Sequence, residues 1–485
     1  MLARHAFAYL LSHGVPALVG FLGIAVYSRM LSPEQYGRYA LVLAVSALVN
    51  AIVFEWLKVS VLRHYKSSNQ SEAFYMTVKV AFIGLMAGTL AIAAITLLVS
   101  EWLSPPLVLL ALLLCWAQAW YQLNLSLLRA ELSPVRYGRV AFARSLLGLI
   151  LGILFIAAGY GEIGLVIGIV VGLLLPLLPL FWQRWGWRFH QKAMDYTLLR
   201  QFAAYGLPLT LTLLLGMVIH QSDRIIISEM IGIEATGMYA VTYDLTEQTI
   251  FTLMLIINLA AFPLAVKALE EKGEEAAREQ VKANTSLLLA IGIPALCGLV
   301  VLREGVAELF LGEAFRETAV LLMPYIAVGA LLKGFKLYGV DIMFHLYKQT
   351  KLQMVPVAVA AIANVILTIA LLPTYGLEGA AFATVVAYGL AIALAWLFIN
   401  KQMERLPFPG KDFVKVLCAT AIMLLCMWPF LGSAHWGMLI LQVGIGGLSY
   451  GVACLLLFRK QVQRMYKKVN RKQNQPVIEK RGDGQ

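Results

Sequence analysis

The sequence predicts an all-α polytopic membrane protein of about fourteen transmembrane helices, built as two six-helix lobes related by pseudo-two-fold symmetry plus a C-terminal two-helix hairpin. Three observations carry this. First, 60% of the 485 residues are hydrophobic and only 14% are charged, with a mean hydropathy of +0.77, more apolar surface than a soluble fold of this size hides. Second, apolar runs recur along the whole chain. Each is about 20 residues long, enough to cross ~30 Å of hydrocarbon as a helix, and the alternating segments of a membrane β-barrel are absent. Third, Leu31-Ser32-Pro33-Glu34-Gln35-Tyr36-Gly37-Arg38-Tyr39-Ala40 is echoed two hundred positions later by Ile231-Gly232-Ile233-Glu234-Ala235-Thr236-Gly237-Met238-Tyr239-Ala240. Each copy closes one apolar segment and opens the next, so a helical hairpin is repeated half a chain apart.

The candidate spans begin near Ala6, Tyr39, Ala73, Leu107, Val140, Leu165, Phe202, Met238, Thr285, Ala319, Leu352, Ala380, Phe413 and Met438. The first follows Arg4 and resembles a signal peptide, but it lacks a small-residue cleavage site and runs into the repeat motif, so it reads as a retained helix. Lys267 to Lys282 reads as a charged, amphipathic extension of span 8. Lysine and arginine crowd the loops after even-numbered spans: Arg129 and Arg136; Arg184, Arg188 and Lys192; Lys348 and Lys351; Lys401, Arg405 and Lys411. The opposite loops carry acids such as Glu101, Glu162 and Glu378. The positive-inside rule then places both termini in the cytoplasm, which requires an even number of crossings.

A second echo supports two lobes. Tyr160-Gly161-Glu162-Ile163-Gly164 and Tyr375-Gly376-Leu377-Glu378-Gly379 both fall in the last hairpin of their half. The expected organisation is an N-terminal lobe over 1–183, a basic amphipathic cytoplasmic linker over 184–200, a second lobe over 201–400, appended helices over 401–458 and a basic cytoplasmic tail over 459–485. Gly37 and Gly237 read as glycines that permit a tight re-entry into the next helix. Small-residue spacing at Gly84/Gly88, Gly148/Gly152, Gly168/Gly172 and Gly447/Gly451 allows close helix approach.

The net charge of +12 does not indicate a nucleic-acid partner, because the basic residues sit at helix ends and in the tail. Cys115, Cys297, Cys418, Cys426 and Cys454 lie in apolar segments without metal-ligand spacing and read as small core residues. No metalloprotease helix, nucleophile elbow or phosphate-binding glycine loop occurs, so no catalytic residue, metal or cofactor is expected. A coupling ion, proton or sodium, is left open.

Charge at membrane depth costs about 2.5–3.5 kcal/mol per residue on insertion scales and faces a cavity or a partner. Span 2 carries Asn50, Glu55 and Lys58; the last two are three apart, so an internal ion pair and a cavity lining are both open readings. Span 8 carries Asp244 and Glu247 on one face, and span 10 carries Lys333, Lys336 and Asp341. Span 4 adds a hydrogen-bonding stripe that includes Gln118 and Gln122, suited to sugar hydroxyls or to a neighbouring helix. Lys79 and Arg144 are accounted for by snorkelling to the cytoplasmic surface. His220, Asp223 and Arg224 cluster at the outer end of span 7 as either an ion-pair gate or a helix terminus.

With these residues in place, the sequence resembles the bacterial polysaccharide and O-antigen flippase family. Tyr27 to Ala40 resembles its helix 1–2 signature, Asp223-Arg224-Ile225-Ile226-Ile227 with Gly237-Met238-Tyr239-Ala240 its helix 7–8 signature, and Leu372 to Ala381 its helix 11–12 turn. The resemblance implies a two-lobed transporter of the bacterial inner membrane. It would flip an undecaprenyl-diphosphate-linked oligosaccharide by alternating access, for O-antigen, capsule or exopolysaccharide synthesis, beside polymerase and chain-length proteins of the same pathway. Lys333 and Lys336 would meet diphosphate or acidic sugar, with Arg29 and Arg224 as outer contributors; Glu55, Asp244 and Glu247 would balance those charges, bind hydroxyls or carry a coupling proton. Replacing both lysines by alanine is expected to abolish surface glycan at normal protein levels. A lipid II flippase and a multidrug or cation antiporter share the architecture, although span 1 lacks the acid expected of the antiporter. A membrane polysaccharide polymerase or ligase is the alternative of a different class, and its long external catalytic loop is missing here.

Overall fold

In a computed structural model, residues 2–65, 72–99, 104–186, 194–403, 405–430 and 436–459 are described, with the side chains of 1–13, 15 and 212 left aside. The linker residues Arg188 and Lys192, the loop residue Glu101 and the tail beyond Arg459 lie outside the described residues. Among those described the secondary structure is helical: α1 (Leu2–Met30), α2 (Pro33–Val53), α3 (Glu55–His64), α4 (Glu72–Val99), α5 (Pro105–Ala130), α6 (Pro134–Phe155), α7 (Gly161–Leu174), α8 (Tyr196–Met230), α9 (Ile233–Lys272), α10 (Glu274–Val301), α11 (Arg303–Phe310), α12 (Glu313–Phe335), α13 (Thr350–Gln402), α14 (Gly410–Met427) and α15 (Trp436–Leu457). By length and composition ten helical stretches can cross a membrane, or eleven if the two arms of α8, bent by 47° beyond Pro208, form one span. Two of the ten are 52 and 53 residues long, roughly twice what a bilayer core requires, and each turns back at glycine. The difference from fourteen lies there and in α1, whose apolar part is the shorter Pro16–Met30.

The turn-back glycines are the second echo in the sequence. Gly161 has φ 52 and ψ −136, and Gly376 has φ 56 and ψ −144, the same left-handed geometry at equivalent places in the two halves. In the first hairpin a methyl on Gly168 would strike Gly152, and one on Gly172 would strike Gly148, so α6 and α7 run antiparallel with backbones touching. Gly84, Gly88, Gly447 and Gly451 face open space and support no such contact.

The repeated motif has a different role from the tight turn expected of it. Ser32 caps α2 through a reciprocal capping box with Gln35, and Pro33 opens the helix. Gly37 and Gly237 are helical; what they permit is contact between the two copies, because a Cβ on Gly37 would collide with the Ile233 carbonyl and one on Gly237 with the Pro33 carbonyl. The charged stretch after span 8 also differs: α9 ends at Lys272, Gly273 takes φ 83, and Glu274 begins α10, so Lys267 to Lys282 is two helix ends rather than one extension.

Two apolar cores lie in the N-terminal half, the second completed by the start of α8. One gathers Val42, Leu114, Leu128 and Leu173, the other Phe54, Phe74, Leu127 and Phe202 at the start of α8. Others, such as those around Phe344 and Met254, come from the C-terminal half alone. A further core joins the halves near the repeated motif, with Tyr36 and Phe315 rings 5.8 Å apart and Phe21 and Phe310 rings 4.7 Å apart. At the other end Ser60 Oγ donates to the Phe202 carbonyl at 2.7 Å, and Gly206 packs on Trp56.

Candidate functional site: a charged cavity between the halves

Between these two belts of contact lie two adjoining cavities of about 470 and 560 Å³, which share Gln118, Arg144 and His220 as walls. The first is bounded by α1, α2, α5, α6, α7, α8 and α9 and reaches Tyr27, Tyr39, Asp244 and Glu247. The second is bounded by α2, α3, α5, α6, α7, α8, α12 and α13 and reaches Asn50, Glu55, Lys58, Gln122, Lys333 and Lys336. A cavity lined by charge at hydrocarbon depth is costly to build and is where a polar cargo is accommodated. Gln248 closes part of its wall by donating to the Ala17 carbonyl at 2.6 Å, which ties α9 to α1 across the halves.

The charges in this cavity are mostly matched in pairs. Lys58 Nζ lies 2.5 Å from Glu55 and donates to Gln122 Oε1 at 3.2 Å, so the internal pair read from their spacing forms, on the cavity wall. Lys333 Nζ lies 2.6 Å from Glu247 and 4.8 Å from the centre of the Phe251 ring. His220 joins them, with Nδ1 3.4 Å from both Glu247 and Lys333 and 3.2 Å from the Tyr243 hydroxyl. Lys336 Nζ contacts Asp341 at 2.5 Å, and Gln353 donates to the same carboxylate at 2.9 Å; Lys336 and Asp341 are 3% and 0% exposed. A wide helical turn over Lys336–Val340, closed by the Asp341 amide donating to the Lys336 carbonyl at 2.8 Å, brings the two residues together.

The cavity therefore gathers nine of the twelve residues singled out from the sequence: Asn50, Glu55, Lys58, Gln118, Gln122, Asp244, Glu247, Lys333 and Lys336. Three stand elsewhere. Asp341 is behind Lys336, Arg224 is buried behind Asp244 in an ion pair, and Arg29 donates to the Leu309 carbonyl at the end that carries the repeated motif. Glu55 and Asp244 do not face one another; each lines a different cavity.

The roles of two residues that the sequence reading named differently, Asp223 and Arg144, emerge from the structure. Asp223 is 2% exposed and accepts from Tyr239 at 2.9 Å, Thr368 at 3.0 Å and Thr384 at 2.8 Å, so it clasps α8 to α9 and to both arms of α13. The three hydroxyls come from distant segments and give no local pattern. Arg144 is a wall of both cavities, although its place near a helix start read as snorkelling. Its distance from Pro134 was the available signal: ten residues of helix carry it ~15 Å inward.

Two helical halves thus enclose a charge-lined cavity. The chain belongs to the polysaccharide biosynthesis protein family, which it matches over residues 26–320. Among its relatives, the lipid II flippase MurJ of Thermosipho africanus is 29% identical over 179 residues, 36% of each chain. The probable flippase AglR of Haloferax volcanii is 23% identical over 293 residues, 59% of this chain and 56% of the relative. The matched stretches thus span about a third and about half of those relatives. A solved structure of lipid II flippase MurJ in an inward closed conformation superposes with a TM-score of 0.75 at 16% identity, covering 95% of this chain and 100% of that one, which establishes a shared fold. These relatives are named as flippases, none as an enzyme.

Proposed function

We propose that this protein is a flippase of the cytoplasmic membrane that carries a lipid-linked oligosaccharide from the inner to the outer leaflet, with undecaprenyl-diphosphate-linked repeat units for surface polysaccharide as cargo. The observation that carries this is the composition of the cavity walls. Amides and ion pairs at hydrocarbon depth (Asn50, Gln118, Gln122, Glu55–Lys58 and Glu247–Lys333) offer donors and acceptors to sugar hydroxyls, while the prenyl chain stays in lipid. Membership of a polysaccharide biosynthesis family supports a glycan cargo.

In this reading both termini are cytoplasmic, the Gly37/Gly237 end faces outward, and residues 1–183 and 201–400 act as two lobes that rock about the cavity. Contacts at the two ends open alternately. The contacts that would part are the Gly37/Gly237 packing with the Tyr36–Phe315 and Phe21–Phe310 ring pairs at one end, and Ser60 to Phe202 and Gly206 to Trp56 at the other.

The likeness to MurJ over nearly the whole fold makes lipid II the rival cargo. Deleting the gene in the native host separates the two. Loss of surface polysaccharide with build-up of its lipid-linked repeat unit, at unchanged peptidoglycan synthesis, is expected. Build-up of lipid II with normal surface polysaccharide would replace this cargo by the rival.

A further inference from the structure

We propose that Arg144 is the cavity group that meets the phosphate oxyanions of the cargo, an assignment that rests on the flippase reading above. Four lysines and arginines line the two cavities: Lys58, Arg144, Lys333 and Lys336. The three lysines each have a carboxylate within 2.6 Å, from Glu55, Glu247 and Asp341 respectively. Arg144 has none among the described residues; it lies over the Tyr121 ring, 5.5 Å from the guanidinium carbon to the centroid.

The charge balance makes the same point. Lys58, Lys333 and Lys336 cancel Glu55, Glu247 and Asp341, and Arg224 behind the wall cancels Asp244. One positive charge is left in the cavity, and it belongs to Arg144. An anion that binds Lys333 or Lys336 has to displace a desolvated carboxylate, and separating such a pair is costly because it leaves a buried charge uncompensated. An anion that binds Arg144 displaces nothing but water.

The local geometry suits this task. The contact with the Tyr121 ring commits no N–H of the guanidinium to a carboxylate, and its planar fork matches two oxygens of a phosphate at once. The helix that carries Arg144 is fixed by close backbone packing of Gly148 and Gly152 on Gly172 and Gly168, and by the Tyr27 hydroxyl donating to the Gly148 carbonyl at 3.4 Å. Gln118 shares both cavities with Arg144, which places an amide for sugar hydroxyls beside a cation for phosphate. Because Arg144 is common to both cavities, an anion held there can pass from one to the other without leaving its counter-charge.

The test uses the full-length protein in lipid nanodiscs, titrated with undecaprenyl diphosphate and with undecaprenol, which has the chain without the charge. Wild type is expected to prefer the diphosphate. Arg144→Gln is expected to weaken diphosphate binding by about tenfold or more, the loss of a charge-assisted bond, with undecaprenol binding unchanged. Inorganic pyrophosphate should compete with the diphosphate lipid in wild type and not in Arg144→Gln. If that variant does not fold, Arg144→Lys takes its place, and a loss of about threefold is expected because the fork is gone while the charge stays. Diphosphate binding equal to wild type in either variant overturns the assignment and leaves the flippase reading intact. A wild-type protein that does not distinguish the two lipids refutes the diphosphate cargo itself.

Discussion

The backbone of Gly37 rests on the carbonyl of Ile233, and that of Gly237 on the carbonyl of Pro33, so each copy of the repeated motif is the other's packing partner. The relation is reciprocal because residues 33 and 37 on α2 meet residues 237 and 233 on α9 about a local two-fold. It predicts matched phenotypes. Gly37→Ala and Gly237→Ala should each force α2 and α9 apart and cost about 1–3 kcal/mol, as overpacking does. Thermal unfolding in detergent should fall by similar amounts for the two variants. A large effect for one and none for the other would contradict the reciprocal contact.

The turn glycines give a graded prediction. Alanine at Gly376 meets only the strain of left-handed φ, about 1–2 kcal/mol. Alanine at Gly161 carries the same strain and also presses on the Gln35 side chain, whose oxygen accepts from the Ser32 amide in the α2 cap. Gly161→Ala should therefore be the more destabilising of the two in an unfolding series, and the reverse order would be inconsistent with this geometry.

Glu247 and Lys333 should behave as a unit. Removing either partner strands a buried charge beside His220, at a cost of about 3–5 kcal/mol, whereas Glu247→Gln with Lys333→Met removes both charges. A double-mutant cycle on stability should show the double variant closer to wild type than either single one. Additive losses would mean that the two side chains are energetically independent.

Lys336 has a different expectation from the one its sequence position gave. With its ammonium on Asp341 and only 3% of the residue exposed, Lys336→Ala leaves Asp341 buried with Gln353 as its remaining polar partner. Protein levels should drop for Lys336→Ala and recover in part for Lys336→Met with Asp341→Asn. Normal levels with lost glycan export in Lys336→Ala would restore Lys336 as a substrate ligand.

Much of this was legible in the sequence because a bilayer imposes strong rules. Apolar run length gives helices, and the echoes at Gly37/Gly237 and Gly161/Gly376 mark equivalent places in the two halves. The i, i+3 spacing of Glu55 and Lys58 held the pair that forms as one of two open readings. What stayed hidden depends on contacts between distant segments. Nothing local links Asp223 to Thr368 and Thr384, or Lys333 to Glu247, so the lysines looked free for substrate. Arg144 looked superficial because its depth depends on where α6 begins, and the apolar run starts later than the helix.

The cavity between the halves is proposed to carry a charged glycolipid head across the bilayer, and this claim is open to direct measurement. The direct measurement is transbilayer movement of a fluorescently labelled undecaprenyl-diphosphate oligosaccharide in proteoliposomes, read by quenching from outside. Wild-type protein should raise the fraction of lipid reaching the outer leaflet well above empty liposomes, and Arg144→Gln should return it close to the empty level. Wild-type movement no faster than in empty liposomes, with the protein folded, would contradict the claim.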